Sequence, residues 1–427
     1  MIRLHPIPDS EHQCPYCGVR LVALGWWTPG MRTLAELTCP SCDRDFYGDL
    51  ASGFGLLYPM LLERETGTVH DPFGVPWFAD WLRESYAART ARAPRVVVEE
   101  RRPIGRPVVL DCLDGLYGHS LLKLLNAQYY LDRHPELDLV VLVPRALRWL
   151  VPEEAAEVWT LDEPLERGRD WSDGLAESLH ERLDGFAEAF LSLALPHPNP
   201  DEYDIERFTG VARRPLTRGV PPAEPCSVTF VWREDRAWAA AASASSRFRR
   251  GSSQTDQVRE LAERLQSLLG DVRFTVAGLG RQGDLPSSID DLRSGDPDPD
   301  LERAWCERYA ESDAVVGVHG SNLLLPSAYA ATVFELVPPD RVQNIPQALL
   351  VPTTDSRDAL LRFRFLPISS TPLDVAETVA ASLVYRSATE ISYALFSLRR
   401  EDLQRDPLAL TRWDDARARA AGGSRSS

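Results

Sequence analysis

Cys14-Pro-Tyr-Cys17 and Cys39-Pro-Ser-Cys42 are two short knuckles separated by 21 residues. Four thiolates at this spacing suit tetrahedral zinc in a ribbon. Four protein ligands leave no position for water, so the expected metal is structural. A redox Cys-x-x-Cys pair is the rival reading, and two pairs at ribbon spacing disfavour it. Residues 1–50 carry four arginines and six carboxylates, a net charge of −2. That is a poor polyanion surface, so nucleic acid is not the expected partner. A protein partner or an acceptor suits the ribbon better. Cys112, Cys226 and Cys306 read as small core hydrophobes.

A second cluster suits anion chemistry. His319-Gly320-Ser321 stands between an apolar run at 314–318 and a helix expected from about Asn322, and a second apolar run follows at 332–337. Strand, glycine turn, helix and strand make a parallel βαβ unit. Amides at the helix start favour a diphosphate, and Gly320 lets it approach the backbone. Arg233 and Arg236 follow an expected strand at 227–232 and can grip phosphate bidentately. Arg247, Arg249 and Arg250 can add to the same field. Gly278, in Gly278-Leu279-Gly280 after a strand at 272–277, can shape a nucleotide pocket, although such a pair is common. Glu335 either bonds a ribose hydroxyl or lies on a partly exposed face.

A third cluster suits proton transfer. Asp114 and His119 follow an expected strand at 108–112, again at a strand–glycine turn–helix junction. Either can take a proton from a sugar or other hydroxyl. The alternative is that Asp114 caps the turn and His119 packs at the helix start. Lys123, the only lysine, is one turn further on, and its rarity in an arginine-biased chain assigns it no role. No nucleophile elbow, P-loop, His-Glu-x-x-His or kinase set is present, and no acidic pair is placed to hold a divalent ion on a diphosphate.

The elements that must position these residues form two α/β blocks. The order read along the chain is a zinc ribbon at 1–60, a connecting segment at 61–105, and a first Rossmann-like lobe at 106–212. A linker at 213–225, a second lobe at 226–400 and a disordered tail at 401–427 follow. The first lobe has strands at 108–112 and 137–143 and helices at 118–133 and 171–184. Residues 189–195 are a strand or the tail of that helix. The second lobe has helices at 255–269, 300–312, 374–385 and 391–398, and an acidic loop at 280–300. The chain has 427 residues, 44% of them apolar, and a net charge of −16. This is enough for two or three cores and argues against nucleic acid or an anionic membrane as partner. No run of 18 apolar residues and no signal core occur, and cysteine pairs at metal spacing suit a reducing compartment, so the expected location is cytoplasmic.

Residues 313–338, DAVVGVHGSNLLLPSAYAATVFELVP, resemble a signature of the glycosyltransferase family that includes eukaryotic O-linked N-acetylglucosaminyl- and plant xylosyltransferases. DGLYGHSLLKLLNAQYYL (114–131) resembles a motif of that family's N-terminal lobe. FVWREDRAW (230–238) is similar to the first strand of its C-terminal lobe and to the arginine-bearing strand of two-lobed fucosyltransferases. The resemblance covers roughly 106–385. It implies a GT-B fold of two Rossmann-like lobes and a nucleotide-sugar donor. It also implies metal-independent transfer to a glycan or other hydroxyl acceptor, with inversion at the anomeric carbon. By residue it implies Arg233 and Arg236 on donor phosphate, His319, Gly320 and Ser321 lining the nucleotide site with Glu335 near it, and a base at Asp114 or His119. The zinc ribbon departs from that family. Polysaccharide pyruvyl transfer and a non-catalytic ribbon protein that binds a ligand or partner are the other readings.

Overall fold

The computed structural model describes residues 1–213, 225–238, 253–348, 350, 359–360 and 362–385. The chain divides into two compact units, Met1–Asp204 and Ile205–Ser427. Most of the expected linker, the helix at 391–398, the tail at 401–427, and Arg247, Arg249 and Arg250 lie outside the described residues.

The first unit opens with β1 (Ile2–His5) and then a five-stranded antiparallel sheet. That sheet is β2 (Val22–Trp27), β3 (Leu34–Thr38), β4 (Asp45–Asp49), β5 (Leu61–Glu63) and β6 (Val69–His70), in that order. Helix α1 (Pro76–Ala87) follows, with Pro76 at its first turn, where a missing N–H costs nothing. The lobe then runs β7 (Val96–Glu100), β8 (Pro107–Asp111), α2 (Tyr117–Arg133), β9 (Asp138–Pro144), β10 (Glu157–Leu161), α3 (Asp173–Leu183) and β11 (Ala189–Leu191). Its sheet has the order β1-β11-β8-β9-β10-β7. The four inner strands are parallel and the two edges antiparallel. Every residue of β8 is buried, as a strand covered on both faces requires.

The expected division into a ribbon at 1–60 and a connector at 61–105 does not describe this unit. The ribbon sheet continues to His70, β1 is an edge of the lobe sheet, and so is β7. Helix α1 buries Phe78, Ala79 and Leu82 among Met31, Leu34, Met60 and Leu62 of the ribbon. The reason is area: so small a ribbon cannot enclose its own apolar face. Leu21, Trp26, Leu37 and Phe46 therefore share one core with Val109, Leu113, Val140 and Leu142 of the lobe.

The second unit holds α4 (Ile205–Thr209), β12 (Cys226–Arg233), α5 (Gln254–Leu269), β13 (Val272–Leu279), β14 (Asp290–Ser294), α6 (Pro299–Glu311), β15 (Ala314–Val318), α7 (Leu324–Tyr329), β16 (Val333–Val337), β17 (Phe363–Pro367) and α8 (Pro372–Val384). All strands are parallel, in the order β14-β13-β12-β15-β16-β17. Read in chain order this is 3-2-1-4-5-6, the Rossmann arrangement, and the direction of winding reverses between β12 and β15. Both units thus hold an α/β lobe whose sheet is built on parallel strands, as expected, with antiparallel edges in the first. The expected start of this lobe at 226 is late, because α4 already belongs to it. The Tyr329 hydroxyl lies 3.1 Å from the carbonyls of Ile205 and Val211. The acidic loop expected at 280–300 contains β14. Arg293 in that strand is buried over the Trp232 ring at 4.5 Å and donates to both Asp291 oxygens at 2.8 Å. This compensation lets so polar a sequence form a strand.

Candidate functional site

Three groups of side chains can do chemistry, and each stands at the end of an element just described. In the second unit the group forms where the winding reverses. Strand β12 delivers Arg233 and, three residues on, Arg236. Strand β15 delivers His319 to Asn322. Arg236 Nη1 donates to the His319 carbonyl at 2.9 Å. A Cβ built on Gly320 would stand 2.5 Å from Arg236 Nη1, 3.0 Å from Asn322 Oδ1 and 3.4 Å from Arg233 Nη1. The two guanidinium groups and the amide therefore converge on Gly320, and only glycine leaves the space open.

Arg233 is neutralised by a fork to Asp235, with Nε 2.7 Å from Oδ1. Among the described residues no carboxylate forms an ion pair with Arg236. Burial, and then the positive charges of Arg233 and Arg341, hold its guanidinium below the usual arginine range. Both polar atoms of the Asn322 side chain are shielded from solvent and have no hydrogen-bond partner. Asp235 and Asp340 oppose that shift from a distance, but neither contacts the guanidinium. A cation without a contact ion pair beside an unsatisfied amide is a site that an anion with further acceptors would complete. The helix expected from Asn322 is a 3-10 turn, Ser321–Leu323, running into the six-residue α7. So short a helix has little dipole, and the positive field here comes from the arginines.

His319 and Glu335 are buried together, with Nδ1 2.6 Å from Oε2. Glu335 is fully buried, which excludes a partly exposed face, one of the two readings weighed for it. One of its oxygens holds His319 and the other, Oε1, has no partner. Gly278 has a packing reason of its own: a Cβ there would lie 2.3 Å from the Trp232 carbonyl on the neighbouring strand.

In the first unit, β8 ends at Asp111 and α2 begins at Tyr117. Between them Asp114, with no exposure, caps the turn, the second of the two readings weighed for it, and also meets His119. Its Oδ1 accepts from the Leu116 amide at 3.1 Å, capping the turn, and its Oδ2 faces His119 Nδ1 at 3.3 Å. The His119 side chain is 24% exposed, so of the two only His119 can reach a substrate. The Phe54 ring lies 4.9 Å from the imidazole. Sequence reasoning passed over Lys123. It is buried, and its Nζ donates to the Leu113 carbonyl at 2.7 Å and the Met31 carbonyl at 3.4 Å, tying this turn to the ribbon. Burial raises the Asp111 carboxyl to about 6, with the Lys123 charge opposing.

The four ribbon cysteines come together as their spacing requires. Their sulfurs all lie within 4.8 Å of one another, with Cys14–Cys42 at 3.6 Å and Cys17–Cys39 at 3.5 Å. Tetrahedral zinc–thiolate bonds would set such separations at about 3.8 Å. Each knuckle turns through one residue with positive φ, Gly18 at 72° and Asp43 at 53°. Burial pushes the Cys39 thiol up, but amides of Ser41 and Cys42 and the neighbouring thiols outweigh it and bring it down to about 7. The hydrogen bond to Cys39, and then burial, push the Cys42 thiol up to about 12, so the support for a metal is the geometry of the four sulfurs and not their titration.

No family model matches the chain, and no curated protein matches it. Among solved structures, the ADP-heptose LPS heptosyltransferase II of E. coli is similar in fold, at 12% identity and a TM-score of 0.38. The match covers 66% of this chain and 99% of that one. A likeness at this level carries no inference about function. No described helix is long and apolar enough to cross a membrane.

Proposed function

We propose that this chain is a cytoplasmic GT-B glycosyltransferase, transferring a sugar from a nucleotide-sugar donor to a glycan or other hydroxyl acceptor with inversion. The observation that carries the reading is Arg236, which has no contact ion pair among the described residues, converging with Arg233 on Gly320 where the Rossmann winding reverses. That is the position at which such sheets take nucleotides. In this reading Arg233 and Arg236 bind the donor diphosphate and stabilise its charge as it leaves. Ser321 and Asn322 add polar contacts, and Gly278 shapes the loop beside them. Glu335 positions His319, whose carbonyl in turn holds Arg236. In the first unit His119 takes the acceptor proton at Nε2, because the Asp114 carboxylate keeps a proton on Nδ1. The four cysteines would hold one structural zinc, which supplies no step of the reaction. The ribbon can also present a surface to a protein partner.

Thermal-shift and calorimetric titration with UDP, GDP, ADP and dTDP tests the donor site. One of them should bind at sub-millimolar concentration. Arg236→Ala should weaken it about 10- to 100-fold, the worth of a charge-assisted hydrogen bond. If none binds, the reading fails. Turnover with phosphoenolpyruvate in place of a nucleotide sugar would establish pyruvyl transfer instead.

A further inference from the structure

Helix α1 carries one aromatic side chain outside the ribbon core, Trp77, while Trp81 on the same helix and Phe54 are partly buried against that core. Phe78 is buried on the core side. Trp77, its neighbour, is 40% exposed and lies outside that core. Its ring stands edge-on to Phe54 at 5.3 Å and to Trp81 at 5.0 Å. Phe54 in turn lies against His119. One half-exposed indole would be ordinary. Here Phe54 joins it to the imidazole that Asp114 orients.

The rim of this aromatic surface is polar. Arg169 is exposed, and among the described residues no carboxylate pairs with it. Its guanidinium lies 5.6 Å from the Trp81 ring centroid, and its stem covers Gly115, next to Asp114. Flat apolar rings, five fixed N–H donors and a histidine with a free ring nitrogen thus share one surface. A pyranose ring matches this composition. Its axial C–H groups pack on the electron-rich face of an indole, while its equatorial hydroxyls reach donors and acceptors at the edge. An anionic lipid surface matches it less well, because α1 carries Asp80 and Glu84 against Arg83 alone.

The geometry points to Trp77, Phe54 and Arg169 as an acceptor subsite for a sugar ring, with His119 at its inner edge. The acceptor is then a glycan rather than a protein or lipid hydroxyl. This deepens the functional reading above and rests on it for the role of His119, but binding can be read without turnover.

The full-length protein is applied to an array of several hundred glycans and, separately, to phosphatidylglycerol vesicles. A defined set of glycans should bind. Trp77→Ala should weaken that binding about tenfold, the scale of one aromatic contact. Arg169→Ala should weaken it too. Melting curves establish that each variant is folded; Trp77→Phe, which keeps a flat ring, should retain most of the binding. An array without bound glycans, unchanged binding in Trp77→Ala, or Trp77-dependent vesicle binding overturns the subsite. Nucleotide titration of the same preparation separates the two ideas. Nucleotide binding with an empty array leaves the transferase reading standing and removes this one; glycan binding without nucleotide does the reverse.

Discussion

Asp114 and Glu335 are both fully buried carboxylates that face a histidine Nδ1, one in each unit and each near the carboxyl end of a parallel strand. The chemistry of the pairs is the same, and access separates them. His119 can meet a substrate, whereas His319 is 5% exposed and offers its carbonyl to Arg236. His119→Ala should therefore lower transfer at least about 100-fold, the usual worth of a positioned base, with donor affinity unchanged. Asp114→Asn keeps an oxygen for the Leu116 amide but loses the charge opposite Nδ1. It should lower kcat more than it changes the KM for acceptor, which a purely structural residue would not do. Asp111 gives a stability test. Its carboxyl is raised from 3.8 to about 6 by burial. A carboxyl held protonated by folding adds stability below its unfolded value near 4, and that stability is lost as pH rises through 6. Urea unfolding between pH 4 and 7 should show the wild type losing on the order of 3 kcal/mol relative to Asp111→Asn. Parallel pH curves for the two proteins would refute the assignment.

At the scale of elements, two glycines at strand ends look alike in the sequence and do different work. Gly320→Ala places a methyl against Arg236 Nη1 and Asn322, movable side-chain atoms at the candidate anion site. It should weaken nucleotide binding about tenfold or more, and its φ of 157° adds some loss of stability. Gly278→Ala drives a methyl into the Trp232 backbone across the β12–β13 pair, at a positive φ of 133°. It should lower stability by about 2 kcal/mol or more, read by denaturant unfolding. The strands were legible because continuous apolar runs such as Val-Val-Leu and Ala-Val-Val-Gly-Val, bounded by glycine turns, are what a covered parallel sheet demands. The run at 314–318 became β15 residue for residue. The strands that were missed lack that signature. β14 is Asp-Asp-Leu-Arg-Ser, and its stability comes from an arginine packed on a tryptophan 61 positions earlier in the chain, which local periodicity does not encode. The cysteine spacing was legible because metal geometry constrains short loops. The pairing of His319 with Glu335 was not, because parallel strands 16 residues apart in sequence meet only through their register.

At the scale of the whole molecule, the ribbon and the first lobe are one cooperative body, and this changes what metal loss should do. A ribbon on its own flexible linker would unfold alone when its metal is removed. Here Cys14 and Cys39 lie in the same core as Val109, Leu113, Val140 and Leu142, and β1, which precedes the first knuckle, pairs with β11 of the lobe sheet. Lys123 adds a polar tie from α2 to the Met31 carbonyl. Disordering the knuckles would release β1 from the sheet edge and uncover the apolar side of β8 and β9. Freshly purified protein should contain one zinc per chain. Chelation, or Cys39→Ser, should then raise amide exchange across β8, β9 and α2 as well as across residues 10–50. The second unit has its own apolar cluster, built on Val228, Phe230, Val316 and Phe334. Exchange in β12, β13 and β15 should stay near its starting level, and nucleotide should still bind. Zinc below half an equivalent would remove the metal from the account. Full zinc with exchange rising only in residues 10–50 would mean that the shared core does not couple the two sheets, and the ribbon would then be an appended module after all.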